Sequence, residues 1–443
     1  MLETKTLTTP IDSQIVRKKI LDSNLPCIGK ASIREILHLI NQIEIASGKK
    51  FIRMEMGVPG IPANKVAVEA EIGALQKGVA NKYPPIEGVR EFKEEVSRFA
   101  KLFLDIDVSP QCCIPVTGST GGSFISFLFT SKLNQNKDTV LFINPGFPVH
   151  MQQAKALGIK EESFDVYNYR GKKLRDKLES YLSKGNIFSL LYSSPNNPAW
   201  ICFNENELKI IGELCTKYDV IALEDLAYFN MDFRKDYSKP GQPPYQPSVS
   251  KFTDNYMLLI SSSKIFSYAG QRIGSLVVSE KLFKRKYPDL KRFFTSDEFG
   301  HALVYGAAYA VSAGVTHSTQ YAIASMLKQV NDGDYNFTND VKVYAERGEK
   351  IKKIFLDNGF KLVYDSDDGE PIADGFYFTI SYPEFTGEQL IEELIYYGIS
   401  AISLSNTGSE RKEGVRACVS LISEEQFPEL EQRLKAFKQN HET

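Results

Sequence analysis

Short apolar runs alternate with helical stretches between about residue 50 and residue 330. One stretch, ENELKIIGELCTKY, carries its apolar residues at helical spacing and lies between two apolar runs bounded by Pro, Gly or Asn. This alternation predicts an α/β fold with a mainly parallel sheet covered by helices on both faces. Four of the runs end in polar residues: TVLFINPGFP, NIFSLLYSSPNNP, DVIALEDLAY and MLLISSSK. Because the carboxyl ends of parallel strands meet at one edge, we expect their chemistry to converge there.

The two ends of the chain have a different pattern. Residues 29–48, GKASIREILHLINQIEIASG, predict a helix with Ser32 as its N-cap and Gly48 as its stop. Beyond residue 330 we expect a helix near 336–358, the strands GFYFTISY, ISAISLS and VRACVSLI, and a closing helix, EEQFPELEQRLKAFKQN. The predicted domains are therefore an N-terminal arm and helix that complete the small domain, a large domain, and a small α+β domain: residues 1–55, 56–330 and 331–443.

Composition and charge favour small-molecule partners. The 443 residues include 53 Lys and Arg against 55 Asp and Glu, which gives no electrostatic reason to expect nucleic acid or an anionic membrane. No run resembles a signal peptide or reaches the roughly 20 apolar residues of a membrane span, so we expect a cytoplasmic protein. The cysteines lack the spacing of a metal site, and we predict reduced thiols and no metal: Cys27, Cys112, Cys113, Cys202, Cys215 and Cys418.

The stretch SSSKIFSYAGQRIG, residues 261–274, places Lys264 just after an apolar run. A desolvated lysine amine is a nucleophile that forms a Schiff base with a carbonyl compound, whereas an ordinary lysine would extend from the strand end into water. Arg272 lies between two glycines, where its guanidinium can bind a phosphate through two parallel hydrogen bonds, with Ser261 nearby.

A second feature is VTGSTGGSF, in which Ser119 and Thr120 precede an apolar helical run. A helix that begins there would direct free amides and the positive end of its dipole at an anion. The alternative is a plain helix cap, because glycine-rich turns are common and the Gly-Lys-Ser/Thr ending of a nucleotide P-loop is missing.

The other strand ends supply an acid, a phenol, an amide and a ring. In LEDLAY, Asp225 could pair with a protonated ring nitrogen, or it could be a carboxylate at a helix N-terminus; Tyr228 follows it. Asn197 in SPNNP could donate to a phenolic oxygen or simply form a proline turn, and Phe147 in NPGFP could stack on a cofactor or pack in the core. Taken together, an aldehyde-trapping amine, a phosphate cradle, a pyridinium partner, phenolate donors and a stacking ring indicate pyridoxal 5′-phosphate.

In this order the residues resemble the class I/II aminotransferases of the aspartate aminotransferase type. The likeness extends from about residue 50 to the end of the chain, and Ser-x-x-Lys followed by Gly-x-Arg-x-Gly is its most specific part. The resemblance implies the fold-type I architecture with a seven-stranded sheet. It also implies that Lys264 holds the cofactor covalently, and that the other matching residues bind its phosphate or its ring: Ser119, Thr120, Phe147, Asn197, Asp225, Tyr228, Ser261 and Arg272.

Three further residues take their roles only from this resemblance. Tyr83 in NKYPPIEG matches the tyrosine that reaches the phosphate of the partner subunit, which implies a homodimer with shared active sites. Arg416 in GVRACVS matches the arginine that binds the α-carboxylate of the substrate. Gly57 in MEMGVPG lies where the family passes its backbone close to the substrate.

The sequence also departs from the family pattern. Ser194 begins the Asn197 motif where Asn is usual, and Trp200 follows Ala199 where Gly is usual, so the tryptophan either reshapes the pocket or packs outward. Arg411 competes with Arg416 for the carboxylate, although its polar surroundings favour a solvated loop. For an acidic substrate the only further cation we can name is Arg292, although its position on a basic helix face beside Lys291 favours a solvated arginine.

We therefore predict an aminotransferase that moves the amino group of an L-amino acid to a 2-oxo acid, with Lys264, Asp225 and Tyr228 in catalytic roles. The same residues do not exclude a carbon-sulfur β-lyase, which would release pyruvate from cystathionine without an oxo acid acceptor. A further alternative is a non-catalytic regulator that binds pyridoxal phosphate, but such regulators carry a DNA-binding domain, and we find no basic segment that indicates one.

Overall fold

The computed structural model describes residues 9–442. Its strands, in chain order, are β1 Ile52–Arg53, β2 Cys113–Val116, β3 Thr139–Asn144, β4 Lys160–Asp165, β5 Ile187–Ser193, β6 Ile221–Leu226, β7 Tyr256–Ser261, β8 Gly274–Val278, β9 Lys361–Leu362, β10 Ser366–Asp367, β11 Glu370–Pro371, β12 Tyr377–Ser381, β13 Ile399–Ser400, β14 Ile402–Ser403 and β15 Val415–Cys418.

Its helices are α1 Ser13–Asp22, α2 Ile33–Ser47, α3 Lys65–Gln76, α4 Arg90–Leu104, α5 Gly118–Thr130, α6 Pro148–Ala156, α7 Lys173–Leu182, α8 Glu205–Lys217, α9 Ser262–Ile265, α10 Glu280–Lys284, α11 Phe299–Ala302, α12 Tyr309–Ser312, α13 His317–Asp332, α14 Phe337–Val341, α15 Val343–Asp357, α16 Gly387–Tyr396 and α17 Phe427–His441.

Internal contacts divide the chain into two units. The larger unit comprises Ile61–Asn196 and Ile201–Lys342, and the smaller unit comprises Met1–Gly60, Asn197–Trp200 and Val343–Thr443. The sequence analysis drew the domain limits after residues 55 and 330 and did not separate the short segment around Asn197. Those limits stay a prediction about domains.

The larger unit contains a seven-stranded sheet in the order β2-β8-β7-β6-β5-β3-β4. Neighbouring strands from β7 to β4 are parallel, and β8 alone runs against its two neighbours, β2 and β7. The predicted α/β fold with a mainly parallel sheet is therefore confirmed. The four apolar runs of the sequence became β3, β5, β6 and β7, all central or next to the edge of this sheet.

Burial explains why these runs became strands. Every residue of β3, β5, β6 and β7 is buried, as expected for a parallel sheet covered on both faces. Helix α5 packs directly on β7 and β8. Gly122 permits this approach, because a Cβ atom there would lie 2.8 Å from Cδ2 of Leu259.

The smaller unit contains a four-stranded antiparallel sheet, β14-β15-β12-β9, and a parallel pair, β1-β13. The helix predicted in residues 29–48 is confirmed as α2. Ser32 forms a capping box with Glu35 at its N-terminus, and Gly48 ends it with a left-handed φ of 67°.

Two predictions for the C-terminal region were wrong. ISAISLS is two short strands, because the chain changes partner at Ala401: β13 pairs with β1, whereas β14 pairs with β15. The single helix predicted near 336–358 is interrupted at Lys342. Helix α14 contacts α9 of the larger unit, and α15 contacts β9, β12 and α17 of the smaller unit, so each piece packs against its own unit.

All six cysteines are free thiols, and five of them are buried. Burial raises the pKa of the Cys112 thiol to about 12, which disfavours the reactive thiolate. Between residues 9 and 442, no cluster of three or more His, Cys, Asp or Glu side chains could hold a metal ion. In the same part of the chain, no helix combines the length and the apolar character needed to cross a bilayer.

Two glycines that lie within helices of the larger unit differ in how closely other atoms pack against them. A Cβ atom on Gly212 in α8 would lie 2.7 Å from Cβ of Phe252, whereas one on Gly73 in α3 would meet no atom within 4 Å. We expect Gly212→Ala to lower the free energy of unfolding in urea by about 1–3 kcal/mol, because the core would be overpacked. The matched Gly73→Ala should raise it by about 0.4–1 kcal/mol. Equal effects of the two changes would contradict this packing.

Candidate active site

Polar side chains meet at the carboxyl edge of the sheet in the larger unit. Asp225 is the penultimate residue of β6, and the parallel register sets it opposite Ser193 of β5. Ser261 is the last residue of β7, and Tyr228 follows β6 by two residues with only 4% of its surface exposed. The structure therefore brings Asp225, Tyr228 and Ser261 to one edge.

Lys264 lies one turn beyond the end of β7, on the short helix α9. The side-chain oxygen of Ser261 caps this turn by accepting a hydrogen bond from the amide of Ser263 (3.2 Å). The sequence analysis placed Lys264 at the strand end, and the structure adds the turn that holds it. Its side chain is half-buried.

The N-terminus of α5 lies in the same unit. The helix begins at Gly118, and its N-cap residue, Thr117, makes no side-chain capping bond. The first amides of a helix have no partner within the helix, and its dipole adds partial positive charge at that end. Ser119 and Thr120 occupy this first turn, where the amides of a helix can bind an anion.

Arg272 adds a cation to this helix end. Its backbone is left-handed (φ 51°), and its Nη1 donates to the carbonyl of Ala269 (2.9 Å). A Cβ atom on Gly118 would lie 2.5 Å from Nη2 of Arg272, so the guanidinium contacts the first turn of α5. A Cβ atom on Gly274 would lie 3.2 Å from the amide nitrogen of Ser119, so glycine also lets β8 approach.

The Asp225 carboxyl is removed from water. Burial raises its pKa to about 7, against a backbone hydrogen bond from Ala227 that lowers it. One oxygen, Oδ2, lies 3.6 Å from Nε2 of His150, and burial lowers the pKa of that imidazole to about 4, so the ring is neutral at pH 7. The other oxygen, Oδ1, is buried and has no hydrogen-bond partner within residues 9–442. A protonated ring nitrogen fits this carboxyl.

Sequence reasoning missed His150. It lies three residues after Phe147, which caps α6, and the two rings are perpendicular with centroids 5.5 Å apart. The available signal was this spacing, because residues three apart share a helix face once a helix is known to begin at Pro148. The helix thus carries the predicted stacking ring and the histidine together.

In the smaller unit, Arg416 on β15 is 1% exposed. Its Nη1 donates to Oδ1 of Asn197 (3.1 Å), and its Nη2 donates to the carbonyl oxygen of Glu55. Its Nε has no acceptor among the described residues. Because Oδ1 of Asn197 accepts from Arg416, the amide nitrogen of Asn197 keeps its role as a donor elsewhere.

Gly57 and Trp200 belong to the same unit and contact a residue that the sequence analysis did not name, Tyr377. A Cβ atom on Gly57 would lie 1.8 Å from the Tyr377 hydroxyl oxygen, so residue 57 has no room for a side chain. Trp200 is fully buried, with its ring centroid 6.2 Å from that of Tyr377. Of the two alternatives for Trp200, outward packing is wrong for this unit, since the ring fills its interior against Gly375.

Three other residues were candidates from the sequence. Tyr83 is 87% exposed on the surface of the larger unit. Arg292 is exposed and donates to Gln135, just beyond the C-terminal end of α5 and thus opposite the helix end that carries Ser119. Arg411 is half-buried in the loop before β15.

Comparison with known proteins agrees with this geometry. Residues 50–434 match the family model described as "Aminotransferase class I and II". The chain is 26% identical over 265 residues to a probable aspartate aminotransferase of Methanocaldococcus jannaschii, covering 60% of this chain and 65% of that relative. It is 24% identical over 324 residues to an aspartate aminotransferase of Pyrococcus horikoshii, covering 71% and 75%.

Solved structures show the same fold. An aspartate aminotransferase from Thermotoga maritima superposes with a TM-score of 0.73 at 19% identity, covering 95% of this chain and 99% of that chain. An aminotransferase from Mycobacterium tuberculosis gives a TM-score of 0.74 at 17% identity, with the same coverage. These likenesses establish the fold-type I architecture.

Burial of Asp225 predicts an unusual pH dependence of stability. A carboxyl whose folded-state pKa is raised stabilises the fold at low pH and loses that contribution as pH rises toward 7. In protein prepared without pyridoxal phosphate, Asp225→Asn should therefore be increasingly more stable than the wild type from about pH 4 to about pH 7, measured by urea unfolding.

Asp332→Asn is the matched control. Lys328 and Arg98 lower the pKa of the Asp332 carboxyl, so this change should cost stability above about pH 4 and have the opposite sign. A pH-independent difference for Asp225→Asn would contradict the burial of this carboxyl.

Proposed function

Because the chain belongs to the class I and II aminotransferases, we propose that it transfers the amino group of an L-amino acid to a 2-oxo acid, with pyridoxal 5′-phosphate as its cofactor. The observation that carries this proposal is the buried carboxyl of Asp225, whose Oδ1 lacks a partner among residues 9–442 and whose neighbour His150 is neutral. Such a carboxyl favours a ligand that brings its own positive charge, and a protonated pyridine does so.

The phosphate of the cofactor has a matching site. The unpaired amides at the start of α5, the Arg272 guanidinium in contact with Gly118, and nearby hydroxyls supply positive charge and donors. We assign phosphate binding to Ser119, Thr120, Ser261 and Arg272.

The pyridine ring is assigned to four residues. Asp225 pairs with its nitrogen, and Phe147 stacks on its face from the N-cap of α6. Tyr228 and Asn197 donate to its phenolic oxygen, a role for which the Asn197 amide nitrogen is suited because Oδ1 already accepts from Arg416.

Lys264 is assigned the covalent attachment and the proton transfer. Lys264 is a half-buried residue on helix α9, one turn beyond Ser261. When bound, pyridoxal phosphate supplies an electron sink for charge that develops at the α-carbon of the amino acid. Lys264, as a neutral amine, would remove the proton from that carbon and then, as an acid, deliver it to the C4′ carbon of the cofactor, while Asp225 would keep the ring nitrogen protonated.

Arg416 is assigned the α-carboxylate of the substrate. Its two hydrogen bonds go to neutral oxygens, and its Nε has no acceptor among the described residues. A buried guanidinium in this state favours a carboxylate, which it can bind through two parallel N–H donors. Gly57 is assigned a backbone contact with the substrate, and a Cβ atom at this position would collide with the Tyr377 hydroxyl.

The substrate side chain is not assigned. Relatives of this chain include enzymes named for aspartate, for aromatic amino acids and for LL-diaminopimelate, at 22–26% identity. Arg292 is exposed at the far end of α5 and gives no support to an acidic preference. A cytoplasmic location stays a prediction from the sequence.

Two measurements test the proposed function: the covalent attachment of pyridoxal phosphate to Lys264, and the reaction of the loaded protein with an amino acid alone. Borohydride treatment with excess pyridoxal phosphate should modify Lys264, as read by peptide mass, and one or more amino acids should bleach the yellow protein. Lys264→Ala should lose the colour and about 10²–10⁴-fold or more of the turnover. Lys251→Ala, on the same unit but paired with Asp105, should retain both.

An unmodified Lys264 would overturn the cofactor assignment. Pyruvate release from cystathionine without an oxo acid would favour the lyase instead, and cofactor binding without any reaction would favour a regulator.

We also propose a homodimer in which Tyr83 reaches the phosphate bound by the partner subunit. Its 87% exposure in the single chain is consistent with a side chain that acts outside its own unit. Loss of a hydrogen bond to a charged group costs roughly 1.5–3 kcal/mol, so Tyr83→Phe should weaken cofactor retention about 10- to 100-fold in equilibrium dialysis. Tyr245→Phe, on a loop of the same unit, is the control. Full retention by Tyr83→Phe, or an active monomer, would show that this assignment is wrong.

A further inference from the structure

Tyr377 lies between two residues of the proposed carboxylate site. It is on β12, where the antiparallel register sets Thr379 opposite Arg416, so Tyr377 and Arg416 are diagonal neighbours on one sheet face. The Arg416 Cζ atom lies 4.5 Å from the centre of the Tyr377 ring. The hydroxyl of the same ring contacts Gly57, and only 2% of Tyr377 is exposed.

This arrangement leaves the guanidinium free to bind in its own plane. A guanidinium carries five N–H donors, all in one plane, and the Cζ atom of Arg416 lies over the face of the Tyr377 ring. Two donors bond to Asn197 and Glu55, which leaves Nε and the remaining hydrogens of the edge. The contact with the ring face therefore adds to the two hydrogen bonds that hold Arg416 and uses neither of those donors.

Trp200 packs against the ring of Tyr377 and helps to hold it in place. Its side chain is fully buried at a backbone φ of 64°, a left-handed conformation that is costly for a residue with a side chain. It meets Tyr377 at an interplanar angle of 65°, and a Cβ atom on Gly375 would lie 2.0 Å from its Cε2. Glycine at 375 thus makes room for the indole, and the indole packs beside the tyrosine ring.

We propose that Tyr377, held by Trp200, is a positioning residue that orients Arg416 and strengthens its binding of the substrate carboxylate. The inference rests on the proposed function, because it assigns Arg416 to that carboxylate. The amino acid and the 2-oxo acid share the carboxylate, so the effect of Tyr377 is the same for both and independent of the substrate side chain. A residue that lined a side-chain subsite would instead change the ratio between substrates.

The test uses the holoenzyme and steady-state kinetics with two amino acids and two 2-oxo acids that the wild type accepts. A desolvated cation–π contact is worth about 1–2 kcal/mol, so Tyr377→Leu should raise every KM by about 5- to 30-fold. The kcat should stay within about twofold, because binding that is equal in the ground and transition states changes only KM. Tyr377→Phe, which keeps the aromatic face, should stay within about threefold of the wild type in KM.

Tyr377→Met provides the same loss of the ring with a flexible side chain of similar volume, for use if the leucine variant does not fold. Unchanged KM values in the leucine or methionine variant would overturn the inference. So would a uniform loss of kcat, cofactor retention and thermal stability in both, or a KM rise confined to one side-chain type. A wild type that reacts with no amino acid would overturn the proposed function itself, which distinguishes the two failures.

Discussion

Withdrawal of one carboxyl group from water is the constraint on which the larger unit depends. Asp225 sits near the end of a fully buried strand, and the imidazole 3.6 Å away is neutral for the same reason that the carboxyl is destabilised. Desolvation therefore disfavours the charged form of both groups, and the neutral imidazole does not compensate the charge of the carboxylate. The same unit gathers amides and a guanidinium at the start of α5. It thus offers one negative and one positive subsite, which together suit a ligand with a cationic ring and an anionic tail.

In the smaller unit the buried charged group is a cation. Arg416 is a buried cation whose two hydrogen bonds go to the uncharged oxygens of Asn197 and Glu55, so its charge is solvated but not neutralised. Tyr377 contributes the electron-rich face of a ring, which lowers the cost of burial without removing the affinity for an anion. A guanidinium held in this way is ready to bind, because the groups around it are fixed before a carboxylate arrives.

Much of this arrangement could be predicted from the sequence, for physical reasons. Continuous apolar runs such as MLLIS are buried strands because no face of them is polar, and parallel pairing then brings their polar ends to one edge. The caps of α2 were also predictable, since Ser32 and Gly48 act through their own backbone and side chain. The contact between Arg272 and Gly118 was not predictable, because it depends on β8 lying against α5 across 154 residues of chain.

Contacts between segments that are far apart in the chain could not be predicted from the sequence. The division of ISAISLS follows from two different partner strands, and nothing within those seven residues identifies them. Nothing within GFYFTISY distinguishes Tyr377 from the other aromatic residues there, and only the register with β15 sets it beside Arg416.

Helix α6 carries two residues of the candidate site. Phe147 and His150 lie on a single turn, and their rings are in edge-to-face contact. The ring that would face the cofactor therefore packs against the imidazole beside Asp225. A substitution of Phe147 would therefore also change the surroundings of the imidazole beside Asp225, because the two rings are in contact.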